Sequence, residues 1–204
     1  MDTLPAQILI VVGAYLLGSI NSAIIVSKAF SLPDPRELGS GNPGATNVLR
    51  TGNKIAAVIT LAGDLLKGLL PVLTIDLLTA NSPLVAATAV AALLGHMYPL
   101  YYGFKGGKGV ATTLGVLLGF DWLLGVVWIA FWLFTAFLFR YSSLAALVAT
   151  LLILVTSWLW SENIWLCIAM AIITVFVFWR HRSNIKKLLD GDETKLGKSS
   201  KEST

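Results

Sequence analysis

The sequence predicts an all-α polytopic membrane protein of about seven transmembrane helices, with its N-terminus outside and its C-terminus in the cytosol. Of its 204 residues, 56% are hydrophobic and only 13% charged, and the mean hydropathy of +0.77 lies well beyond that of soluble domains. The apolar residues fall into runs near the roughly 20 residues that a bilayer core requires. Lys and Arg are confined to alternate gaps between those runs, as expected when basic loops stay in the cytoplasm.

The first run extends from about Pro5 to Ser27. Its start, MDTLPAQ, has an acid and no basic region, and no small-x-small cleavage site follows, so it is expected to be retained as a span. The next runs are Ile55 to Leu78, Pro83 to Tyr101, Val110 to Phe120, Trp122 to Phe139, Leu144 to Trp160 and Ile164 to Trp179. The fourth is short, and crosses only if the GKG before it is helical and lies at membrane depth.

With seven spans, the loops 28–54, 102–109 and 140–143 and the tail from Arg180 share one side. They hold every Lys and Arg except Lys67, which is inside the second span. The opposite side holds Asp2, Asp76, Asp121 and Glu162 and no basic residue. Removing the fourth span would put Arg140 and the basic tail across the membrane from the early basic loops. We expect one membrane domain over residues 1–194 and a polar, disordered cytosolic tail over 195–204. The net charge of +4 reads as orientation signal and attraction to anionic lipid, with no separate support for nucleic acid binding. The single cysteine, Cys167, excludes an intramolecular disulfide and a cysteine metal cluster.

Two glycine-rich loops interrupt this apolar chain: GSGNPGATN from Gly39 and GFKGGKGVAT from Gly103. The first satisfies GxGxxG, but no strand precedes it and no ribose-binding acid follows. The second fails the P-loop pattern, because Gly109 follows Lys108 where Ser or Thr is needed and Tyr102 takes the place of the first glycine. What remains is the physics of glycine loops opening helices, which aim backbone N–H groups at one anion. Pro43 is expected to open a helix whose first turns carry Thr46, Asn47 and Arg50, so that Ser40, Asn42, Thr46 and Arg50 form a polar, cationic pocket. A re-entrant turn with glycines for tightness alone is the plainer alternative. Lys105 and Lys108 are three apart; they serve the same pocket or are snorkelling anchors at lipid phosphate.

Asp64 and Lys67 lie three apart within the second span, where an unpaired charge is costly. A structural brace is the first reading, with substrate contact or a proton path as alternatives. His96 reads as a cap on the third span or as a site contact. After the last span, WRHRSNIKKLLDGDE reads as a helix with His181 and Asn184 on one face, its basic residues also suiting a lipid-bound exit helix.

Taken together, GSGNPGATNVLR, GHMYPLYYGFKGGKGVAT, YSSL and RHRSNI resemble the motifs of the bacterial membrane acyl-phosphate:glycerol-3-phosphate acyltransferases. The resemblance extends from AYLLGSINSA to about Glu193. It implies transfer of a fatty acyl group from acyl phosphate to the 1-hydroxyl of glycerol 3-phosphate, yielding lysophosphatidic acid and phosphate early in phospholipid synthesis. It also implies a multi-pass protein of the bacterial inner membrane, with a cytosolic active site and neither metal nor cofactor. The partners implied are both substrates, membrane lipid and the peripheral enzyme that makes acyl phosphate.

By resemblance, Ser40, Lys108 and His181 are the catalytic residues. Gly41, Asn42, Thr46, Asn47, Arg50, Lys105, Gly106, Gly107, Gly109, Ser143 and Asn184 bind substrate. The donor phosphate falls to Ser40, Gly41, Asn42, Thr46 and the 106–109 amides, glycerol 3-phosphate to Arg50, Ser143, His181 and Asn184, and Lys108 to both. The H-x4-D spacing of other glycerolipid acyltransferases is absent: Tyr101 stands five residues after His96, and Lys186 five after His181. A phosphate or organophosphate transporter is the reading from another class. A CDP-alcohol phosphotransferase would need a cluster of aspartates where Asp64 stands alone.

Overall fold

Short polar residues set the helix ends. Asn21, Asn53, Asn81, Asp121 and Asn163 each close one stretch and open the next helix, their side-chain oxygens accepting from backbone N–H groups two or three residues ahead. The computed structural model describes residues 3–197, which form ten α-helices and no strand. These are α1 (Leu4–Gly18), α2 (Ser22–Ala29), α3 (Ala45–Leu49), α4 (Lys54–Leu78), α5 (Ser82–Met97), α6 (Val110–Phe120), α7 (Trp122–Phe139), α8 (Ser142–Trp160), α9 (Ile164–Arg180) and α10 (Arg182–Asp190).

Five stretches are long and apolar enough to cross a membrane: Leu4–Ala29, Lys54–Leu78, Ser82–Tyr102, Trp122–Phe139 and Ser142–Trp160. The bent pair α9 and α10 brings the number to six, and α6 is a shorter apolar helix. We take α9 as the last span and α10, with Lys186 and Lys187 exposed, as a surface helix.

Three helix boundaries differ from expectation. The first run is two helices broken at Ser19–Asn21, and the carbonyl of Ile20, freed by the break, accepts from Nζ of Lys67 at 2.8 Å. That bond supplies at membrane depth the partner the helix no longer provides. The helix expected at Pro43 begins at Ala45, with Gly44 as its extended N-cap. The exit helix does not continue α9, because the chain bends by 58° at His181.

Outward faces carry Leu77, Phe137 and Leu159, whereas Asp64, Lys67, His96, Thr60 and Thr112 are buried. This inversion of a soluble protein suits a lipid solvent. The central helix α4 packs on α5 and α6. Its contact with α6 depends on a small residue: a Cβ on Gly115 would stand 2.0 Å from the carbonyl oxygen of Leu65. Asp64 and Lys67 pair at 2.9 Å, as the brace reading requires.

Within the expected tail, Leu196 N donates to the Arg140 carbonyl at 2.6 Å, and Lys195 lies over the Tyr141 ring. The rest of that tail, 198–204, lies outside the described residues, as does Asp2.

Candidate active site

Asn47 builds the first loop from inside. Its amide nitrogen donates to the carbonyls of Pro35 at 2.6 Å and Leu38 at 3.0 Å, and its Oδ1 accepts from Ser40 N at 3.2 Å. Gly39 rests on that amide with φ +52°, where a Cβ would come within 2.5 Å of Oδ1. The Asn47 amide is therefore committed to shaping the loop. It presents Ser40, Gly41 and Asn42 as a rim, and the Arg50 guanidinium lies against Gly39.

The second loop folds onto the end of α5. Gly107 N donates to the His96 carbonyl at 3.1 Å, so this amide is already engaged. From the other side Arg180 donates to the carbonyls of Gly106 at 2.6 Å and Gly107 at 3.0 Å, with its guanidinium also over the Tyr98 ring. Gly109 caps α6 with φ +84°.

The two loops and the bend at His181 meet around two adjoining cavities that share Gly41, Gly106 and Arg180. The smaller, about 210 Å³, is lined by Ser40, Asn42, Lys108 and Ser183. The larger, about 400 Å³, adds Arg36, Phe104 and Lys105. Thr46 is exposed on α3 and lines neither.

Beside the smaller cavity runs a chain of hydrogen bonds. Lys108 Nζ donates to Asn184 Oδ1, Asn184 Nδ2 donates to Glu193 Oε1 at 2.7 Å, and Ser143 Oγ donates to the same oxygen at 2.5 Å. Burial pushes the Lys108 ammonium down to about 8, and Arg180, Lys187 and Arg50 push the same way against the opposing pull of Glu193.

His181, just beyond α9, is 2% exposed. Its Nδ1 lies 2.8 Å from the Val177 carbonyl, which can only accept, so Nδ1 carries the proton and Nε2 keeps its lone pair. Burial, more than neighbouring Lys108 and Arg180, lowers this imidazole to about 4. Arg182 lies over the Trp179 ring and also lines the smaller cavity.

The structure thus brings together Ser40, Gly41, Asn42, Gly106 and Lys108 around one cavity, and Lys108, Ser143 and Asn184 through hydrogen bonds. Sequence reasoning missed two members. Arg180, for which a lipid-bound exit helix was one reading, holds the second loop, and Glu193, read as the limit of the motifs, joins Ser143 to Asn184. The one available signal for Glu193 was a glycine, Gly191, ending a polar helix shortly before an acid.

A cluster of this kind, Lys105, Lys108, Arg180 and Arg182 lining cavities at the end of an apolar bundle, suits phosphate-bearing substrates with apolar chains. Among the described residues, no group of three His, Cys, Asp or Glu side chains could hold a metal.

Comparison with known proteins points the same way. The family model described as glycerol-3-phosphate acyltransferase matches residues 8–191. The glycerol-3-phosphate acyltransferase of Thioalkalivibrio sulfidiphilus is 53% identical over 192 residues, covering 94% of this chain and 95% of that protein. That of Methylococcus capsulatus is 50% identical over 194 residues, covering 95% and 98%. Among solved structures, PlsY (YgiH), an integral membrane glycerol 3-phosphate acyltransferase, is similar in its glycerol 3-phosphate form, with a TM-score of 0.90 and 37% identity. Its lysophosphatidic acid form has a TM-score of 0.87 and 36% identity, and each alignment covers 94% of this chain and 96% of the other.

Proposed function

The chain belongs to the glycerol-3-phosphate acyltransferase family and is an acyltransferase. From that premise we propose that its acyl donor is an acyl phosphate, and that the reaction takes place at the cytosolic face of a bacterial inner membrane. The 1-hydroxyl of glycerol 3-phosphate attacks the acyl carbonyl, the carbonyl-to-phosphate bond breaks, and lysophosphatidic acid and inorganic phosphate leave. The hydroxyl proton is taken up by phosphate.

The observation that carries the donor assignment is the pair of adjoining cationic cavities, with Lys108 lining the smaller. Either donor develops an oxyanion at the acyl carbon, but a phosphate leaving group also carries its own negative charge at the reacting centre, which Lys108 beside it neutralises, whereas a thioester sulfur brings no such charge. An acyl phosphate is already activated, so positioning two anions and neutralising their charge supplies much of the rate.

In this reading Ser40, Gly41, Asn42 and the second loop hold the donor phosphate. Arg50, Ser143, His181 and Asn184 hold glycerol 3-phosphate, and Lys108 serves both. Lys105 lines the larger cavity, and Thr46 is exposed on α3, which follows the first loop. In this reading the chain crosses seven times, α6 included although Gly107, Lys108 and Gly109 before it are not helical, and all three motifs lie on the cytosolic side, where a peripheral enzyme making acyl phosphate would deliver it. The charges a transporter would use in the membrane, Asp64 and Lys67, are spent on each other.

The test is purified protein with glycerol 3-phosphate and, separately, acyl phosphate, acyl-CoA or acyl carrier protein, with lysophosphatidic acid followed. Product is expected from acyl phosphate alone. Equal turnover of acyl-CoA would overturn the donor assignment.

A further inference from the structure

We propose that His96, buried beside Asp64 near the end of α5, is a positioning residue that sets the place of the Gly106–Lys108 loop from beneath and so aims Lys108 at substrate phosphate. The inference rests on the reading of this loop as a phosphate holder.

The bare faces of two glycines lie on His96. A Cβ on Gly106 would stand 2.1 Å from the His96 carbonyl oxygen, and one on Gly107 would stand 2.2 Å from Nε2 and 2.7 Å from Cε1 of the ring. Neither glycine has a positive φ, although Gly103 and Gly109 on either side do. Glycine is required at 106 and 107 by contact, then, and not by backbone conformation. At 107 the contact is with a side chain, the imidazole.

The far edge of that ring faces Asp64, with Nδ1 3.6 Å from Oδ1 and both side chains about 5% exposed. Asp64 is itself fixed. Its carboxylate pairs with Lys67, whose ammonium also holds the Ile20 carbonyl at the break between α1 and α2. Its carbonyl accepts from Thr112 Oγ1 at 2.9 Å, in the first turn of the helix the loop opens. Asp64 therefore stands at both ends of the loop, packed beside His96 under its start and bonded through its carbonyl to Thr112 at its exit. Arg180 closes the clamp from above by holding the carbonyls of Gly106 and Gly107. Between these two hands the backbone has one place to lie, and Lys108 projects from it toward Asn184.

A swap of side-chain volume tests this. Gly107→Ala drives a methyl into the ring, and is expected to lower kcat/KM at least tenfold, chiefly by raising KM for the phosphate-bearing substrates. His96→Ala removes the ring. The double variant Gly107→Ala/His96→Ala is expected to recover at least fivefold over Gly107→Ala, despite carrying two changes. Gly106→Ala meets the His96 backbone and should gain nothing from His96→Ala.

Losses that add in the 107/96 pair, or equal recovery at position 106, would overturn the proposal. So would failure of His96→Ala, His96→Ser and His96→Asn alike to give folded protein, since the residue would then determine the fold. Binding of glycerol 3-phosphate is followed in parallel by thermal shift. A wild-type protein inactive with acyl phosphate would then sink the donor assignment alone, and the coupling between 107 and 96 would still be read in Kd.

Discussion

Lys108 donates from Nζ to Oδ1 of Asn184, tying the second glycine loop to the helix after the last span across 76 residues of sequence. The same Asn184 donates to Glu193, which also accepts from Ser143. A single carboxylate oxygen thus orients two side chains assigned to glycerol 3-phosphate and, through one of them, the lysine shared by both substrates.

Removing that carboxylate should loosen the site and the fold together. Glu193→Ala leaves Ser143 Oγ and Asn184 Nδ2 without their acceptor, a loss of about 2–3 kcal/mol for hydrogen bonds to a charged group. Glu193→Gln keeps an acceptor oxygen and should lose about 1 kcal/mol. Tm in detergent and kcat/KM for glycerol 3-phosphate should both fall in the order wild type, Gln, Ala. An alanine variant as stable as wild type would show that the bonds carry no weight.

Lys108 gives the site an alkaline limb. Its ammonium titrates at about 8 instead of its ordinary 10.5, because burial disfavours the charge. In the free enzyme the cation that meets phosphate is lost as pH rises through about 8, so log kcat/KM should bend downward there. Stability moves the other way. Between about 8 and 10.5 the unfolded chain holds the proton that the folded chain has released, so stability rises with pH across that window. Lys108→Met should abolish the limb and lower kcat/KM by about 10²–10³-fold, within the range for losing one electrostatic contact to a transition state. A pH profile of the free enzyme that stays flat to pH 10 would contradict the assignment.

How much of this was legible in the sequence follows from how local each signal is. The apolar runs are local, and they located most helices to within a few residues. The break at Ser19–Asn21 was not visible, because what permits it is Lys67, 47 residues away. The membership of the site was legible as residue types in loops. The division of labour inside it was less so, since an amide that folds a loop, as Asn47 does, has the same letter as one that binds a ligand. Arg180 ends α9 and meets the second loop across 73 and 74 residues of sequence, a contact no local pattern marks, and Glu193 is brought in by the turn at Gly191 (φ +80°).

Orientation in the membrane is open to a direct experiment. Ser40, Lys105 and Ser183 are exposed, one near each motif, whereas Cys167 is 2% exposed with its thiol on the Ser157 carbonyl. In a Cys167→Ser background, single cysteines at the three positions should all resist an impermeant thiol reagent in right-side-out cells and react in inverted vesicles. Gly106 is unsuitable as a probe, because any side chain there meets His96. Labelling of one position from outside, with the others protected, would separate the motifs across the membrane.

The fate of the hydroxyl proton turns on His181. The bond from Nδ1 to the Val177 carbonyl leaves Nε2 as an acceptor, and in the proposed assignment the ring receives a hydrogen bond from a glycerol 3-phosphate hydroxyl and orients it beside Asn184. As a base it is poorly matched, since burial lowers it to about 4, far below neutral pH. Phosphate, with a second pKa of about 6, is the better matched proton acceptor. We expect His181→Gln, which keeps an acceptor and a donor, to raise KM for glycerol 3-phosphate and retain turnover at saturation. Should kcat instead fall about 10³-fold in folded, saturated protein, within the range that loss of a general base produces, His181 is the base and the substrate's phosphate is not.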